Sequence, residues 1–507
     1  MKQSGGRSVE RPSSYAFPRI FIRPPTFSGR LTRLGSGWKG GTVLLKAIPI
    51  SRVPPDESTS PDSVSRRLME SITTRKARIG VIGLGYVGMP TALAFVAEGF
   101  ETIGFDTNAA KVRAINEQSA GRDAVSKFRS TTDFADLRLC DCIMVSVPTP
   151  LSFSNEPDLS YLRAAAQAIK ASLRRGQLIV LESTSYPGCT EELMLPILLE
   201  ANLFLDDDFL LGFSPERIDP GNDAFPFRDV PRIVSGASDA SRDAVAALYE
   251  QVVPSVYLAG STRVAETAKL LENTFRAVNI GLVNELATMC HQMNIDLWDV
   301  IDAAKTKPFG FMPFYPGPGV GGHCIPMVPE FLSWKGRQVG VESRFISLAE
   351  QVNGSMPNFV VRLIAEALND DGKPLHAARV LIVGASYKKD VGDAHESPAV
   401  EIIQILRSHG ANVSYHDPFV PDLDFQQLVW KPGRPLGAQQ TQHQNDPLHS
   451  VELSEDTLRA ADCVVIVTDH SALDYTRMTR EAKLIVDTRN ALDNDARLHS
   501  RARVVRL

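Results

Sequence analysis

The stretch GPGVGGHCIPMVP, residues 317–329, holds a cysteine in surroundings that favour chemistry over packing. Cys324 stands among glycines and prolines, which argue against a core strand or helix. Glycines let the backbone and a substrate approach closely, and backbone N–H groups in such a loop can lower the pKa of a thiol. The competing interpretation is a cysteine that packs as a small buried hydrophobe. The loop composition favours a nucleophile.

Four further residues have types and positions that suit such chemistry. Lys269 and Asn273 lie four apart in a helical stretch, so both project from one helix face, where an ammonium and an amide can stabilise an oxyanion. Glu216 and Thr184 each follow a short apolar run, at the strand ends where α/β sheets hold ligands. The alternatives are that Lys269 and Asn273 lie on a solvated helix face, that Glu216 is a surface residue, and that Thr184 forms a turn or a helix cap.

The motif Gly83-Leu-Gly85-Tyr-Val-Gly88 follows a predicted strand and opens a predicted helix. Its glycines allow a tight turn and close approach to a pyrophosphate at the helix N-terminus. Asp106 ends the next strand and is placed to bind a ribose 2′-hydroxyl, which predicts NAD rather than NADP. Lys111 can meet a cofactor phosphate or be a helix-surface charge. The alternative for the motif is a glycine turn with a solvent-facing aspartate.

The chain that positions these residues has 507 residues, too many for a single hydrophobic core. From Ala77, strand-like runs alternate with amphipathic helical stretches, which indicates a parallel sheet covered on both faces. From about Thr262 to Ala304, apolar residues keep helical spacing without any strand-like run. A second alternating section starts at Ala378. The predicted fold class is therefore α/β, with two doubly wound Rossmann-like domains joined by a central helical domain.

The predicted domain boundaries follow these changes of pattern. They are a disordered basic extension at 1–76, an N-terminal NAD-binding Rossmann domain at 77–258, a central helical domain with the cysteine loop at 259–372 and a C-terminal Rossmann-like domain at 373–507. The extension is rich in serine, proline and arginine without sustained periodicity, which is typical of disorder. Met69 precedes the first alternating section and is a candidate start of translation.

Overall composition narrows the function classes further. A formal net charge of −5 with 22% charged residues gives no sign of nucleic-acid binding. No window approaches the roughly 18 consecutive apolar residues of a membrane span. The six cysteines lack metal-ligand or disulfide-framework spacing, so we expect no metal site and a reducing, cytoplasmic location.

Several motifs in fixed order resemble one known family, UDP-glucose/GDP-mannose dehydrogenase. They are VIGLGYVG, ESTSYPGCTEE, FSPERIDPGN, AKLLENTFRAVN, GPGVGGHCIP and SYKKDVGDAHESPA. The resemblance runs from about residue 77 to 495 and covers all three predicted domains. Within the family, TKPFGFMPFYPGPGVGGHCIP and SPERIDPG look most like the members that oxidise UDP-N-acetylglucosamine for surface-polysaccharide synthesis.

The resemblance implies a four-electron oxidation of a sugar C6 alcohol to the carboxylate, with two NAD⁺ reduced in turn. Cys324 would capture the aldehyde as a thiohemiacetal, and the thioester that follows would be hydrolysed. Lys269 and Asn273 would stabilise the oxyanions. Glu216 and Thr184 would position and activate the hydrolytic water.

The resemblance also implies the binding residues and the assembly. The cofactor contacts would be Gly83, Gly85, Val87, Gly88, Asp106, Lys111 and Thr149. Lys388, in the sequence YKKD, would meet the UDP part of the substrate in the C-terminal domain. The long middle helix would build a homodimer or a higher homo-oligomer.

Three motifs depart from the family pattern. Val328 stands where the family has an aspartate four residues after the cysteine, and Glu330 where an aromatic residue is expected. That aspartate supports proton movement around the thiolate and water, which an isopropyl group cannot do. His395 replaces an arginine, which weakens a phosphate or inter-subunit contact. Cys189 replaces a threonine, a mild packing change.

These departures leave three interpretations open. The leading one is an NAD-dependent UDP-N-acetylhexosamine 6-dehydrogenase, with UDP-N-acetylglucosamine favoured and a rate that depends on how far Val328 impairs it. The second is UDP-glucose 6-dehydrogenase. The third is a catalytically impaired relative that binds NAD and a UDP-sugar without oxidising the sugar.

Overall fold

The computed structural model describes residues 61–119, 126–152, 154–217, 219, 225, 227–322, 324–425, 428 and 446–507, with backbone only for 61–63. Its helices are α1 (Pro61–Thr73), α2 (Gly88–Ala97), α3 (Ala109–Ser119), α4 (Ser160–Ser172), α5 (Leu195–Leu199), α6 (Asp239–Tyr249), α7 (Thr262–Gln292), α8 (Leu297–Ala304), α9 (Val328–Gln338), α10 (Arg344–Asp370), α11 (Pro398–Ser408), α12 (Glu455–Ala460), α13 (Tyr475–Glu481) and α14 (Asn494–Leu498). Short 3₁₀ segments cover Phe134–Leu139 and Phe227–Asp229, and a π-helical turn covers Thr190–Met194.

The strands are β1 (Ile79–Ile82), β2 (Thr102–Phe105), β3 (Phe128–Thr131), β4 (Cys142–Val145), β5 (Gln177–Leu181), β6 (Phe209–Phe213), β7 (Arg232–Gly236), β8 (Val256–Leu258), β9 (Arg379–Val383), β10 (Asn412–His416), β11 (Asp422–Leu423), β12 (Leu448–His449), β13 (Cys463–Ile466), β14 (Leu484–Asp487) and β15 (Arg503–Arg506). The first eight form one sheet in the order β3-β2-β1-β4-β5-β6-β7-β8. Only the β6–β7 pair within this sheet is antiparallel.

The first sheet is covered on both faces. Alternate residues of β5 enter two different hydrophobic clusters, with Ile179 and Leu181 in one and Leu178 and Val180 in the other. The near-continuous apolar sequence of this strand, QLIVL, is what a strand buried on both sides requires. The carboxyl ends of β1, β2, β4 and β5 consequently share one edge, where the predicted cofactor residues follow them.

Helix α1 corrects one sequence prediction. The disordered extension was expected to cover residues 1–76, but residues 61–73 are helical, with Leu68 and Ile72 buried in the cluster beneath the first sheet. Residues 1–60 lie outside the described residues. The amphipathic stretch is ordered because α6 offers its apolar residues a packing partner. Met69, the candidate start of translation, lies inside this helix.

The middle of the chain is built on the contact between α7 and α10, the largest helix–helix contact among the described residues. Ser261 caps α7 by accepting a hydrogen bond from the Val264 N–H. The two helices approach closely at Gly281, where an added Cβ would lie 3.2 Å from the Ala349 Cα. Helix α9, which follows the cysteine loop, also packs against α7.

The second sheet contains five parallel strands in the order β10-β9-β13-β14-β15. It too is covered on both faces, because Val380 and Ile382 of β9 enter one cluster while Leu381 and Val383 enter another. A mainly parallel sheet and a fully parallel sheet, with a helical stretch of chain between them, confirm the predicted fold class. The polar stretch at residues 433–450, whose composition predicts a loop insertion, lies mostly outside the described residues. The domain boundaries at 258/259 and 372/373 stay proposals.

Throughout the described part, no helix has the length and apolar character needed to cross a membrane.

Candidate active site

A cavity of about 610 Å³ connects the glycine turn after β1 with the cysteine loop before α9. Its lining includes ten of the residues singled out from the sequence, namely Gly83, Gly85, Val87, Asp106, Lys111, Thr149, Thr184, Glu216, Lys269 and Cys324. The residues predicted to do chemistry and those predicted to hold a dinucleotide therefore border one continuous space.

The glycine turn has the shape that a diphosphate requires. Gly83 has a φ of +90°, and a Cβ there would collide with the Ser146 carbonyl. A Cβ on Gly85 would meet no atom within 4 Å, so its bare backbone borders open space in the cavity. Gly88 does not line the cavity; it begins α2 and packs directly against the Gly83 carbonyl. The start of this helix therefore lies immediately behind the turn.

Asp106 is ready to accept hydrogen bonds from a ribose. Its carboxylate accepts from the Asn108 N–H at 3.0 Å, the Leu84 N–H at 3.2 Å and the Lys111 ammonium at 2.9 Å. Partial burial acts to raise the pKa of Asp106, but these hydrogen bonds outweigh it and hold the pKa below its usual value. The ammonium of Lys111 thus forms an ion pair with Asp106. The glycine turn and this ionised carboxylate fit NAD.

The cysteine loop is held from two sides. The Asn284 side chain on α7 accepts a hydrogen bond from the Gly317 N–H at 2.9 Å, and Asn284 itself donates to Asn353 on α10. At the other end, Gly322 has a φ of +81° and donates its N–H to the His395 carbonyl at 3.1 Å. A Cβ on Gly322 would strike the Tyr387 ring. These contacts fix the loop backbone at Gly317 and Gly322.

Cys324 lies near an ammonium, a carboxylate and a phenol. Burial lowers the pKa of the Lys269 ammonium, while nearby Cys324 and Glu216 counteract this electrostatically. Tyr86, from the glycine turn, has about half its surface exposed, but its hydroxyl lies beside the sulfur. Burial, with Cys324 next in importance, raises the pKa of Tyr86 well above its usual value, so Tyr86 stays a neutral hydrogen-bond donor. Thr149 donates to the Thr184 carbonyl at 2.7 Å nearby.

Val328 gives the cavity an apolar wall. It packs in a buried cluster with Leu151, Leu270, Met327 and Phe331, against which Cys324 is partly packed. Glu330 lines a different cavity of about 600 Å³, so it does not replace the missing aspartate in the space occupied by Cys324. His323, a titratable neighbour of Cys324 in the sequence, lies outside the described residues.

Asn273 and Lys388 do not line the cavity. Asn273 is 1% exposed; its oxygen accepts from Arg276 at 2.7 Å, while its Nδ2 has no hydrogen-bond partner among the described residues. A buried amide with an unused donor, one turn from Lys269, suits an oxyanion that arrives with substrate. The Lys388 ammonium lies in the loop after β9 and pairs with Asp219 at 2.5 Å.

Two buried residues that the sequence did not single out adjoin the site. Glu182 follows β5 and lines the cavity. Arg232, the first residue of β7, is 3% exposed and bridges Glu182 and Glu216. Glu182 opens the motif ESTSYPGCT and could have been noticed there, whereas no local pattern marks Arg232. No group of His, Cys, Asp and Glu within the described part is arranged to hold a metal ion.

Comparisons with known proteins show relatives of this chain over most of its length. Models of the NAD-binding, central and UDP-binding domains of the UDP-glucose/GDP-mannose dehydrogenase family match residues 77–253, 263–355 and 381–494. UDP-N-acetyl-D-glucosamine 6-dehydrogenase of Pseudomonas aeruginosa is 35% identical over 353 residues, 68% of this chain and 83% of the relative. NDP-N-acetyl-D-galactosaminuronic acid dehydrogenase of Ralstonia nicotianae is 33% identical over 436 residues, 81% of this chain and 95% of the relative.

A solved structure extends the similarity to the fold. That of UDP-D-ManNAc dehydrogenase from Pyrococcus horikoshii is similar with a TM-score of 0.72 and 30% sequence identity, covering 84% of this chain and 99% of the other. The names of these relatives differ in the sugar but agree on the class of enzyme, a dehydrogenase of nucleotide sugars, and the matching N-terminal family model is an NAD-binding domain. The chain therefore belongs to the UDP-glucose/GDP-mannose dehydrogenase family.

Proposed function

We propose that this protein oxidises the C6 hydroxyl of a UDP-N-acetylhexosamine to the uronate, with UDP-N-acetylglucosamine favoured, for surface-polysaccharide synthesis. The observation that carries the proposal is the single cavity in which Cys324, Lys269, Glu216 and Thr184 adjoin the dinucleotide turn. Gly83, Gly85 and Asp106 would hold NAD at this cavity, where it would supply the hydride acceptor for the two oxidations of each sugar. The names of similar proteins from Pseudomonas aeruginosa and Staphylococcus aureus, the latter called protein CapL, support the same class of pathway.

The first half of the reaction needs a thiolate and a stabilised alkoxide. Lys269 is 8% exposed and close enough to Cys324 to interact with its charge, so its ammonium can stabilise both the thiolate and the substrate oxygen. Cys324 adds to the C6 aldehyde and forms a thiohemiacetal, which keeps the aldehyde from escaping. Asn273 does not line the cavity itself, but it lies one turn from Lys269 and would donate from its Nδ2 once the substrate brings the oxyanion within reach.

The second half ends with hydrolysis of a thioester on Cys324. Glu216 is 7% exposed and lines the same cavity, so its carboxylate can take a proton from the attacking water. Thr184 lies at the end of the neighbouring strand β5 and helps to place that water. The sulfur then leaves as a thiolate beside Lys269, ready for another sugar.

The UDP part of the substrate is assigned to the C-terminal sheet. Lys388 follows β9, next to β13, where the strand order of this sheet reverses and α/β proteins hold ligands. A phosphate would take the ammonium that Asp219 now pairs with. Relatives named for different N-acetylhexosamines are similar to this chain to nearly the same degree, so overall identity does not choose the sugar. The preference for UDP-N-acetylglucosamine therefore rests on the cysteine-loop motif.

A substrate panel tests the proposal. Purified protein with NAD⁺ is assayed with UDP-N-acetylglucosamine, the corresponding mannosamine and galactosamine compounds, and UDP-glucose. We expect two NADH per sugar and the highest kcat/KM for UDP-N-acetylglucosamine. A higher kcat/KM for UDP-glucose would favour UDP-glucose 6-dehydrogenase instead, and no NADH with any of the four sugars would reject the activity.

The apolar wall at Val328 favours a second candidate, a relative that binds NAD and UDP-sugar without oxidation. The dinucleotide turn and Lys388 are retained, whereas the expected proton-handling group is replaced by a residue buried in an apolar cluster. Calorimetric binding of NAD⁺ and of UDP-sugar, without NADH formation over hours, is the result that this candidate predicts.

We further propose a homodimer built on α7. Large apolar side chains form one exposed stripe along it at spacings of four, seven, four and three residues: Leu271, Phe275, Leu282, Leu286 and Met289. A stripe of this length is typical of a surface covered by another chain, and a second copy supplies an equal stripe.

All six cysteines are free thiols, which supports a reducing, cytoplasmic location.

A further inference from the structure

A buried ionic chain runs along the carboxyl edge of the first sheet. Glu182 follows β5, Glu216 follows β6, and Arg232 begins β7. Because β7 runs antiparallel to β6, its first residue lies at the edge where β5 and β6 end. The Arg232 guanidinium bonds Glu182 at 2.5 Å through Nη2 and Glu216 at 2.8 Å through Nη1.

The remaining contacts hold this guanidinium in one orientation. Its Nε donates to the Ser214 hydroxyl at 3.1 Å, and its plane lies over the Tyr249 ring, 4.9 Å from the centroid. Glu182 is anchored in turn by the hydroxyls of Ser146 at 2.6 Å and Tyr249 at 2.5 Å. Burial alone would lower the pKa of Arg232, but the carboxylates outweigh it, so the guanidinium stays charged.

Glu216 is therefore fixed through both of its oxygens. Oε2 accepts from Arg232, and Oε1 accepts from the Arg217 N–H at 2.6 Å. A lone glutamate at a loop has several rotamers and can swing away from the cavity. A planar guanidinium anchored on Glu182 removes that freedom by holding one oxygen of the buried Glu216 side chain.

We propose that Arg232, anchored on Glu182, is a positioning residue for the hydrolytic half of the reaction, because it holds Glu216 where the thioester on Cys324 is attacked. This inference rests on the proposed function. In that step the water oxygen bonds to the thioester carbon, the carbon–sulfur bond breaks and sulfur keeps the electron pair. Glu216 takes the proton from water and returns it to solvent.

The two oxidations need Lys269 and Cys324 but not a base held by Arg232. An altered Arg232 should consequently spare the formation of NADH up to the acyl-enzyme and slow its release. This separates a positioning role from general damage to the fold, because damage would slow every step.

Rapid mixing with NAD⁺ and UDP-N-acetylglucosamine tests the inference with Arg232→Lys, whose point charge cannot bridge both carboxylates as a planar fork does. We expect a burst approaching two NADH per Cys324 at the rate of the unchanged protein. The steady-state rate should fall about 100-fold, and intact mass should show an acyl adduct on Cys324. Glu216→Gln should give the same pattern, and the double variant should be no slower than Glu216→Gln alone.

Arg174→Lys is the matched control, because Arg174 forms an ion pair with Asp141 at 2.7 Å on the opposite edge of the same sheet. It should leave burst and steady state unchanged. If Arg232→Lys does not fold, Glu182→Gln is tested instead, because glutamine has the shape of glutamate but weakens the ion pair with Arg232. Its steady-state rate of NADH formation should fall about tenfold, with the burst unchanged. The inference is overturned if burst and steady state fall together, if neither changes, or if the double variant is additive. Loss of NADH from the unchanged protein would instead reject the proposed function.

Discussion

Replacing Val328 by aspartate is the perturbation that most directly probes the apolar wall beside Cys324. Val328 is 3% exposed in a cluster of four other apolar residues. Losing its buried surface costs about 1.5 kcal/mol, and burying a carboxylate in its place adds about 2 kcal/mol. We therefore expect Val328→Asp to lose about 3–4 kcal/mol of unfolding free energy. Lys269, in the same cavity, offsets part of the charge cost.

The same substitution should raise turnover. A carboxylate placed four residues after the cysteine can take protons from the thiol and the hydrolytic water, and a well-placed proton acceptor contributes about 100-fold or more. Steady-state NADH formation measures the gain, and urea denaturation measures the stability. Val328→Asn is the matched control, since it has the shape of aspartate without its charge. An equal gain with asparagine, or no gain in a folded Val328→Asp protein, would refute the reasoning.

Three other predictions follow from separate parts of the structure. Leu282→Glu places a charge in the exposed stripe of α7 and should shift sedimentation from dimer to monomer; an unchanged sedimentation coefficient would contradict the assembly. Asp106→Asn removes a charged acceptor and should raise KM for NAD⁺ about tenfold while leaving KM for UDP-sugar unchanged; an unaltered NAD⁺ dependence would remove Asp106 from the cofactor site. Burial acts to raise the pKa of Asp462, but hydrogen bonds, including one from Lys373 at 2.6 Å, outweigh it and lower the pKa. The ionised Asp462 therefore stabilises the fold above about pH 4, and this stabilisation is lost as the pH falls below that value. Asp462→Asn should lower the free energy of unfolding by about 1–2 kcal/mol at pH 7 and by progressively less towards pH 2, as measured by denaturation. If the two proteins differ in unfolding free energy by the same amount at every pH, the ion pair is not responsible.

The sequence predicted those parts of the site that have local signatures. A glycine turn between a strand and a helix, with Asp106 after the next strand, depends only on neighbouring residues, and the structure brings these residues to one cavity. Lys269 and Cys324 were linked through the family resemblance, because neither a helix face nor a glycine-rich loop shows by itself which other residues lie beside it. Helix α1 was missed because its composition is polar and its order depends on packing against α6.

The remaining features depend on topology. Arg232 reaches Glu216 because β7 runs antiparallel to β6, and nothing in the local sequence PRIVSG states that direction. Similarly, Val328 and Glu330 lie two residues apart at the start of α9, yet they border different cavities. By sequence alone Glu330 is close enough to Val328 to substitute for the missing aspartate, and only the arrangement of the helix decides against it.

The stoichiometry of the reaction tests the central claim most directly. Limiting UDP-N-acetylglucosamine is incubated with excess NAD⁺ and purified protein, and NADH and sugar products are counted together, with Cys324→Ala as the comparison. The proposed mechanism predicts two NADH for each sugar converted to the uronate, with no uronate formed by Cys324→Ala. One NADH per sugar with free aldehyde released, or full uronate formation without the cysteine, would contradict covalent capture by Cys324.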